Sequence, residues 1–217
     1  HTLLGPDHYL PFIVLSKARK WTRPKTLWIT FISGVGHVTG SVILGLIGIG
    51  MGISLSKLEA IEASRGSLVG WMLIAFGLLY TAYGIYKYVK RGAHWHLPAF
   101  LRPKSIRHAH LHLDVKELEK DDAGRLTPWI LFLIFVFGPC EVLIPMLIYP
   151  AANQSGLGVF LVALVFGIAT VGTMMLVVFL GYQGLSLMRF RGREHQLHLF
   201  AGVVILLAGA GMQFMGL

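Results

Sequence analysis

Two short motifs in this 217-residue chain place a Gly-Pro pair beside side chains that can ionise or bind a metal. The first motif, GPDHYLP, runs from Gly5 to Pro11, and the second, GPCEVLIP, runs from Gly138 to Pro145. Proline removes a backbone N–H and breaks the hydrogen-bond ladder of a helix, and glycine permits an unwound turn. The motifs therefore predict two breaks in helical structure, each carrying polar chemistry.

The side chains at these breaks form a set that suits a transition metal. Alignment of the two motifs pairs Asp7 with Cys140 and His8 with Glu141, and His37 in SGVGHVTGS adds another imidazole. Imidazole is a ligand for nickel, cobalt, zinc and copper, and carboxylates widen the choice. A mixed set of ligands fits an ion that must be released better than a closed tetrahedral cage does.

From these residues we predict a metal site in which Asp7 and Glu141 balance the charge of the ion. Cys140 is either a soft ligand or a small buried residue that fills space. The whole group is alternatively a proton relay, or a set of hydrogen bonds between helices without a metal. The predicted ligands are His1, Asp7, His8, His37, Cys140 and Glu141.

The composition places these groups in lipid. Hydrophobic residues make up 55% of the chain and charged residues only 13%, whereas soluble proteins carry about a quarter charged residues. About 20 apolar residues cross the hydrocarbon core of a bilayer. We predict five complete spans and a first one that is incomplete at its start, because the chain opens on His1 instead of Met. The spans are 1–16, 27–53, 67–88, 128–152, 157–187 and 197–217.

The net charge of +9 follows from membrane topology. Seventeen of the nineteen Lys and Arg residues lie in the connections 17–25, 87–127 and 188–195, and the other two lie in 54–66. Because basic connections stay on the cytoplasmic side, this distribution predicts that both termini lie outside. It argues against nucleic-acid binding and indicates a multi-pass protein of a bacterial or archaeal inner membrane.

The acidic residues separate into two groups. Eight of the ten Asp and Glu residues fall in predicted connections, and only Asp7 and Glu141 fall within spans. An ionisable group inside a span costs about 3 kcal/mol or more unless it is paired or hydrated. Unwound backbone is tolerated at that depth only beside a cavity or inside protein. We therefore expect the two motifs to face one another across a polar, hydrated site.

The spacing of landmark residues indicates an internal repeat. Gly5 recurs as Gly138 and Gly34 as Gly167, both at an offset of 133 residues, although glycine is frequent and chance matches are the alternative. Three helices per copy place the copies in opposite orientations, as in many secondary transporters, and glycines at heptad spacing predict close helix packing. The other matched positions are Val38 with Val171 and, at an offset of 132, Gly70, Gly77 and Gly84 with Gly202, Gly209 and Gly216.

We therefore predict an all-α membrane protein with six transmembrane helices in two inverted three-helix repeats, 1–88 and 128–217, with the amino and carboxyl termini both outside. A cytoplasmic histidine-rich linker, 89–127, joins them. Its histidines either capture metal with low affinity or belong to an ordinary solvated linker. The linker residues concerned are His94, His96, His108, His110, His112 and Asp114.

At these residues the chain resembles a known family. HTLLGPDHYLPF followed by GHVTGS, together with GPCEVLIPMLIYPA, is similar to membrane proteins of the urease-accessory (UreH-type) and nickel/cobalt-transporter-like kind. These proteins belong to the lysine-exporter superfamily, whose other members include the thiol-disulfide carriers of cytochrome c biogenesis. The resemblance extends over the whole chain and implies that His1, Asp7 and His8 bind the metal. Five residues separate His1 from Asp7, one more than in the usual nickel motif.

Three functions follow from these observations. The first is secondary transport of a divalent transition metal by alternating access, with nickel or cobalt as the substrate and zinc, iron or copper as further candidates. The second is a redox or maturation partner that forms a mixed disulfide at Cys140, the only cysteine; one thiol excludes dithiol exchange within the chain. The third is a transporter of a small anionic or sulfur-containing solute. No enzyme motif or organic cofactor is indicated, and a homo-oligomer is compatible with the sequence.

Overall fold

The computed structural model of the protein describes residues 2–3, 5–92, 115–138, 140, 142–153, 155–187 and 194–215. Every regular element in these ranges is helical, so the predicted all-α class is confirmed. A 3-10 turn, Pro6–His8, precedes seven α-helices. These are α1 (Leu10–Ala18), α2 (Arg23–Gly50), α3 (Leu55–Gly92), α4 (Val115–Phe137), α5 (Leu143–Ala152), α6 (Gly156–Leu187) and α7 (Glu194–Met215).

Long apolar helices make the protein a multi-pass integral membrane protein. Four segments within the described ranges are long and apolar enough to cross a bilayer. Large side chains on these helices point outward; Leu79, for example, is 72% exposed and Phe214 is 73% exposed. In lipid this outward apolar surface is the favourable one. The four segments are Arg23–Gly50, Leu55–Tyr86, Gly156–Ser186 and Gln196–Phe214.

The two Gly-Pro motifs interrupt helices, as the sequence predicts. The predicted span 128–152 is not one helix, because α4 ends at Phe137 and α5 starts only at Leu143. The predicted span 1–16 likewise divides into the 3-10 turn and the nine-residue helix α1. Part of the predicted linker is helical, since α3 continues to Gly92 and α4 begins at Val115.

Helix α1 lies in the centre of the helix bundle. It packs against α6, α7 and α2, and both Phe12 and Leu15 are completely buried. A helix that is apolar all round is stable only when other helices surround it. The short helix therefore holds the preceding turn, and the polar side chains on that turn, deep inside the protein.

Glycines bring the backbones of α3 and α7 into contact. A Cβ added to Gly77 would lie 2.5 Å from the Leu206 backbone nitrogen, and a Cβ added to Gly202 would lie 2.5 Å from that of Thr81. The partner positions fall along α7 as they rise along α3, so the two helices are antiparallel. Small residues allow this close approach where lipid supplies no hydrophobic drive for association.

The contact between α2 and α6 has the same character. A Cβ on Gly34 would lie 3.3 Å from Val171, and a Cβ on Gly167 would lie 3.3 Å from Val38. Helix α4 also packs on α2, and so does α5, the helix that follows the break after α4. Helix α2 thus packs against α1, α4, α5 and α6.

Substitution of Gly77 tests the close packing of α3 on α7. Gly77→Ala places a methyl group against the Leu206 backbone, and overpacking of this kind costs about 1–3 kcal/mol. We expect a lower melting temperature in detergent. Gly172→Ala is the control, because nothing lies within 4 Å of its Cβ and alanine favours a helix by up to about 1 kcal/mol. Equal melting temperatures for the two variants would contradict this packing.

Candidate functional site

The first Gly-Pro motif forms a tight turn that buries two ionisable side chains. Asp7 is 9% exposed and His8 is 6% exposed, and the carboxylate Oδ1 of Asp7 accepts a hydrogen bond from His8 Nδ1 at 3.1 Å. A Cβ on Gly5 would lie 2.7 Å from this same Nδ1. Only glycine therefore lets the turn fold back over its own polar side chains.

His37 joins this pair from helix α2. The rings of His8 and His37 are perpendicular, with centroids 5.4 Å apart, and His37 Nδ1 donates to the Phe135 carbonyl oxygen at 3.1 Å. A Cβ on Gly138 would lie 3.1 Å from His37 Nδ1, so the backbone directly after α4 lies against the imidazole ring. The structure thus brings Asp7, His8 and His37 together, beside the second Gly-Pro break.

A line of polar atoms runs along α2 through His37. Because Nδ1 donates to a carbonyl, Nε2 is the acceptor nitrogen of a neutral ring. Within the described part of the chain, His37 Nε2, Ser33 Oγ and Ser41 Oγ are buried without a hydrogen-bond partner. These residues are four positions apart and share one helix face, so they offer hydrogen bonds to water or a small polar solute.

Cys140 packs beside Val38, the residue that follows His37 in α2. Its side chain is 1% exposed and belongs to an apolar cluster with Val38, Leu143 and Leu147. His37 and Val38 are neighbours in α2. His37 contacts His8 on the 3-10 turn, whereas Val38 packs in the cluster that contains Cys140. A polar and an apolar environment are thus adjacent along α2.

Glu62 is a buried carboxylate beside Cys140 that the sequence pattern does not single out. The sequence predicts a connection at 54–66, whereas helix α3 already begins at Leu55. The carboxyl group is 2% exposed, and its Oε2 accepts a hydrogen bond from the Cys140 backbone N–H at 3.0 Å. A carboxylate thus lies inside the bundle next to the thiol-bearing segment.

Arg65 completes this contact one turn further along α3. It forms an ion pair with Glu62, and its Nη2 donates to the carbonyl oxygens of Val136 at 3.3 Å and Gly138 at 3.2 Å. A Cβ on Gly40 would lie 3.0 Å from the Val136 carbonyl oxygen, so glycine in α2 lets the helix approach the backbone that Arg65 binds. Opposite charges three positions apart, just before an apolar run, were the available sequence signal.

The remaining predicted ligands do not enter the described structure. His1, Glu141 and the linker histidines 94–112 lie outside the described residues. Among the residues that are described, no group of three or more His, Cys, Asp or Glu side chains could hold a metal ion. Asp7 contacts His8, and His8 contacts His37.

Substitution of Asp7 tests the hydrogen bond that orders the first turn. Asp7→Ala removes the acceptor for His8 Nδ1, and loss of one partner of a buried polar pair costs about 1–3 kcal/mol. We expect a clear drop in melting temperature in detergent. Asp7→Asn keeps an acceptor oxygen and is expected to lose less. A greater loss for Asp7→Asn than for Asp7→Ala would show that the hydrogen bond is not what orders the turn.

Comparison with known proteins identifies the family. No curated protein and no solved structure matches the chain. The family described as cytochrome C biogenesis protein transmembrane region matches residues 11–211, which is nearly the whole chain and includes His37, Glu62 and Cys140.

This match corrects two predictions from the sequence. The resemblance to UreH-type and nickel/cobalt-transporter-like proteins is wrong, and the predicted function in nickel or cobalt transport is wrong with it. Of the residues that carried them, His1, Asp7 and His8 lie before the matched region begins at Pro11, whereas His37 and the second motif lie inside it. The match instead connects the chain with cytochrome c biogenesis. The chain belongs to the family of cytochrome c biogenesis protein transmembrane regions.

Proposed function

We propose that the protein carries out thiol–disulfide exchange within the membrane in support of protein maturation, with Cys140 as the reacting group. The position of Cys140 carries this proposal. It is the only cysteine of the chain, it lies between α4 and α5 where the helix is interrupted, and it falls inside the region that matches the cytochrome c biogenesis family.

A single thiol can pass electrons between two partners that each supply a cysteine pair. The Cys140 thiolate attacks the disulfide of the first partner, which forms a mixed disulfide and releases one partner thiolate. A thiolate of the second, reduced partner then attacks the Cys140 sulfur and expels the remaining thiolate of the first. The other thiolate of the second partner closes its disulfide and releases Cys140. Two electrons have moved from the second partner to the first, and Cys140 is regenerated.

The break in the helix provides the mobility that this exchange needs. The Cys140 side chain is 1% exposed, so no partner reaches the sulfur unless the segment moves. A cysteine within a continuous helix is fixed by the hydrogen bonds of neighbouring turns, whereas an interrupted helix can shift locally. We therefore assign the thiol to an opening segment between two rigid helices.

We further propose that the helices form two inverted three-helix repeats, a plan in which both faces of the membrane can open in turn. Reciprocal contacts between repeat-related positions support this. Gly34 contacts Val171 while Val38 contacts Gly167, and these are the pairs that an offset of 133 residues relates. Reciprocal pairing of this kind is what a two-fold axis produces.

The contacts between α3 and α7 follow the same rule. Gly77 meets Leu206 while Gly209 meets Ile74, and an offset of 132 residues converts each pair into the other. The basic connections then place both termini on the outer side. In this arrangement the 3-10 turn before α1 and the segment around Cys140 are counterparts in the two repeats.

Replacement of Cys140 tests the proposed function. A peptide with an oxidised Cys-X-X-Cys pair and a second, reduced peptide are mixed with the protein in liposomes, and the rate of exchange between the peptides is measured. We expect wild type to accelerate exchange and to carry a peptide adduct on Cys140 after acid quenching. Cys140→Ser lacks the nucleophile and is expected to fall to the uncatalysed rate.

A variant with a displaced thiol separates position from thiol content. Cys140→Ser combined with Ser64→Cys keeps one thiol but moves it to an exposed position on α3. We expect this variant to form adducts without accelerating exchange between the peptides. Exchange by Cys140→Ser at the wild-type rate, or a wild type without any adduct, would contradict the proposed function.

A further inference from the structure

The end of α4 leaves backbone carbonyls that need partners inside the membrane. The last carbonyl groups of a helix have no partner within it, and an unsatisfied backbone group in hydrocarbon costs several kcal/mol. Arg65 donates to two such oxygens, those of Val136 and Gly138. A cation at this end also complements the negative end of the helix dipole.

On the other side of the break, a backbone N–H needs an acceptor. Cys140 precedes α5, and its N–H donates to Glu62 Oε2 at 3.0 Å. Because Glu62 and Arg65 are themselves ion-paired, one pair of side chains on α3 binds both sides of the interruption. Arg65 holds the carbonyl side and Glu62 holds the amide side.

The burial of this ion pair is unusual for a merely stabilising contact. The Glu62 side chain is 3% exposed and that of Arg65 is 20% exposed, and a buried ion pair often stabilises less than apolar packing of the same volume. Charged residues inside a span usually belong to function. Two charged neighbours on the same helix, Lys57 and Glu59, are by contrast exposed.

We propose that Glu62 and Arg65, here named the α3 clamp, are the positioning residues of the Cys140 thiol. The clamp fixes the backbone groups of Val136, Gly138 and Cys140, so that the sulfur stays in its apolar cluster, and it releases Cys140 when a partner engages. This inference rests on the proposed function of Cys140. It identifies the two side chains that regulate access to the thiol.

The clamp acts on the backbone around the thiol. Its hydrogen bonds reach the carbonyls of Val136 and Gly138 and the N–H of Cys140. Loss of either side chain therefore frees the segment while the chemical identity of the thiol stays the same. The expected result is a thiol that small reagents reach faster but that is presented less well to a partner.

The rate of Cys140 alkylation by N-ethylmaleimide, measured by mass on the purified protein in detergent, tests the clamp. Since the chain has one cysteine, the readout has a single source. We expect Glu62→Gln and Arg65→Gln to react about tenfold faster than wild type, because each loses charge-assisted hydrogen bonds. Glu59→Gln and Lys57→Gln are matched controls on the same helix and are expected to react at the wild-type rate.

Conservative variants guard against simple unfolding. Arg65→Lys and Glu62→Asp keep the charges but change the length of the side chains. We therefore expect intermediate rates of alkylation, with a melting temperature close to that of wild type. These two variants decide the question if the glutamine variants do not fold. Rates equal to those of Glu59→Gln and Lys57→Gln in folded protein would overturn the clamp.

Alkylation requires no redox partner, so the clamp and the proposed function can fail separately. Faster alkylation of the clamp variants, with no peptide adduct on wild type, would keep the clamp and remove the redox function. Adduct formation by wild type, with unchanged alkylation rates in the variants, would keep the function and remove the clamp. In folded clamp variants we expect slower exchange between the peptides despite the faster alkylation.

Discussion

A helix that is interrupted inside a bilayer needs partners for its free backbone groups, and in this protein a single ion pair provides them on both sides of one interruption. Arg65 donates hydrogen bonds to carbonyl oxygens at the end of α4, and Glu62 accepts one from the N–H of Cys140. Because water is not available in hydrocarbon, the broken segment depends on these two side chains of α3. The location of the thiol, and therefore the chemistry proposed for it, follows from that contact.

Helix α2 separates two kinds of environment at the centre of the protein. His37 faces the turn that carries Asp7 and His8, while its neighbour Val38 packs beside Cys140. The polar groups that suggested a metal site therefore contact His37, and the Cys140 thiol packs beside the next residue of the same helix, Val38. Their proximity in space results from the packing of α4 and the first turn on α2, since Gly138 and His8 both approach His37.

Much of the fold could be predicted, because the signals were local. Apolar length predicted the long spans, and the Gly-Pro pairs predicted the interruption after Phe137. Glu62 could not be assigned, because a charge near the start of a long helix has the same sequence signature as a charge in a loop. Its role depends on Cys140, 78 positions away. The predicted family is wrong because His, Asp and Glu side chains beside Gly-Pro breaks suit metal binding chemically, while the matched family is defined by residues 11–211 as a whole.

The close contact of α3 with α7 has a consequence for biosynthesis. Helix α3 leaves the ribosome long before α7, its main packing partner, so its glycine face must wait in lipid without a matching surface. During this interval the glycine face of α3 is poorly packed and can associate with other helices that carry small residues. The contact between α3 and α7 therefore forms only after α7 inserts, and a premature stop before Glu194 would leave that stripe uncovered.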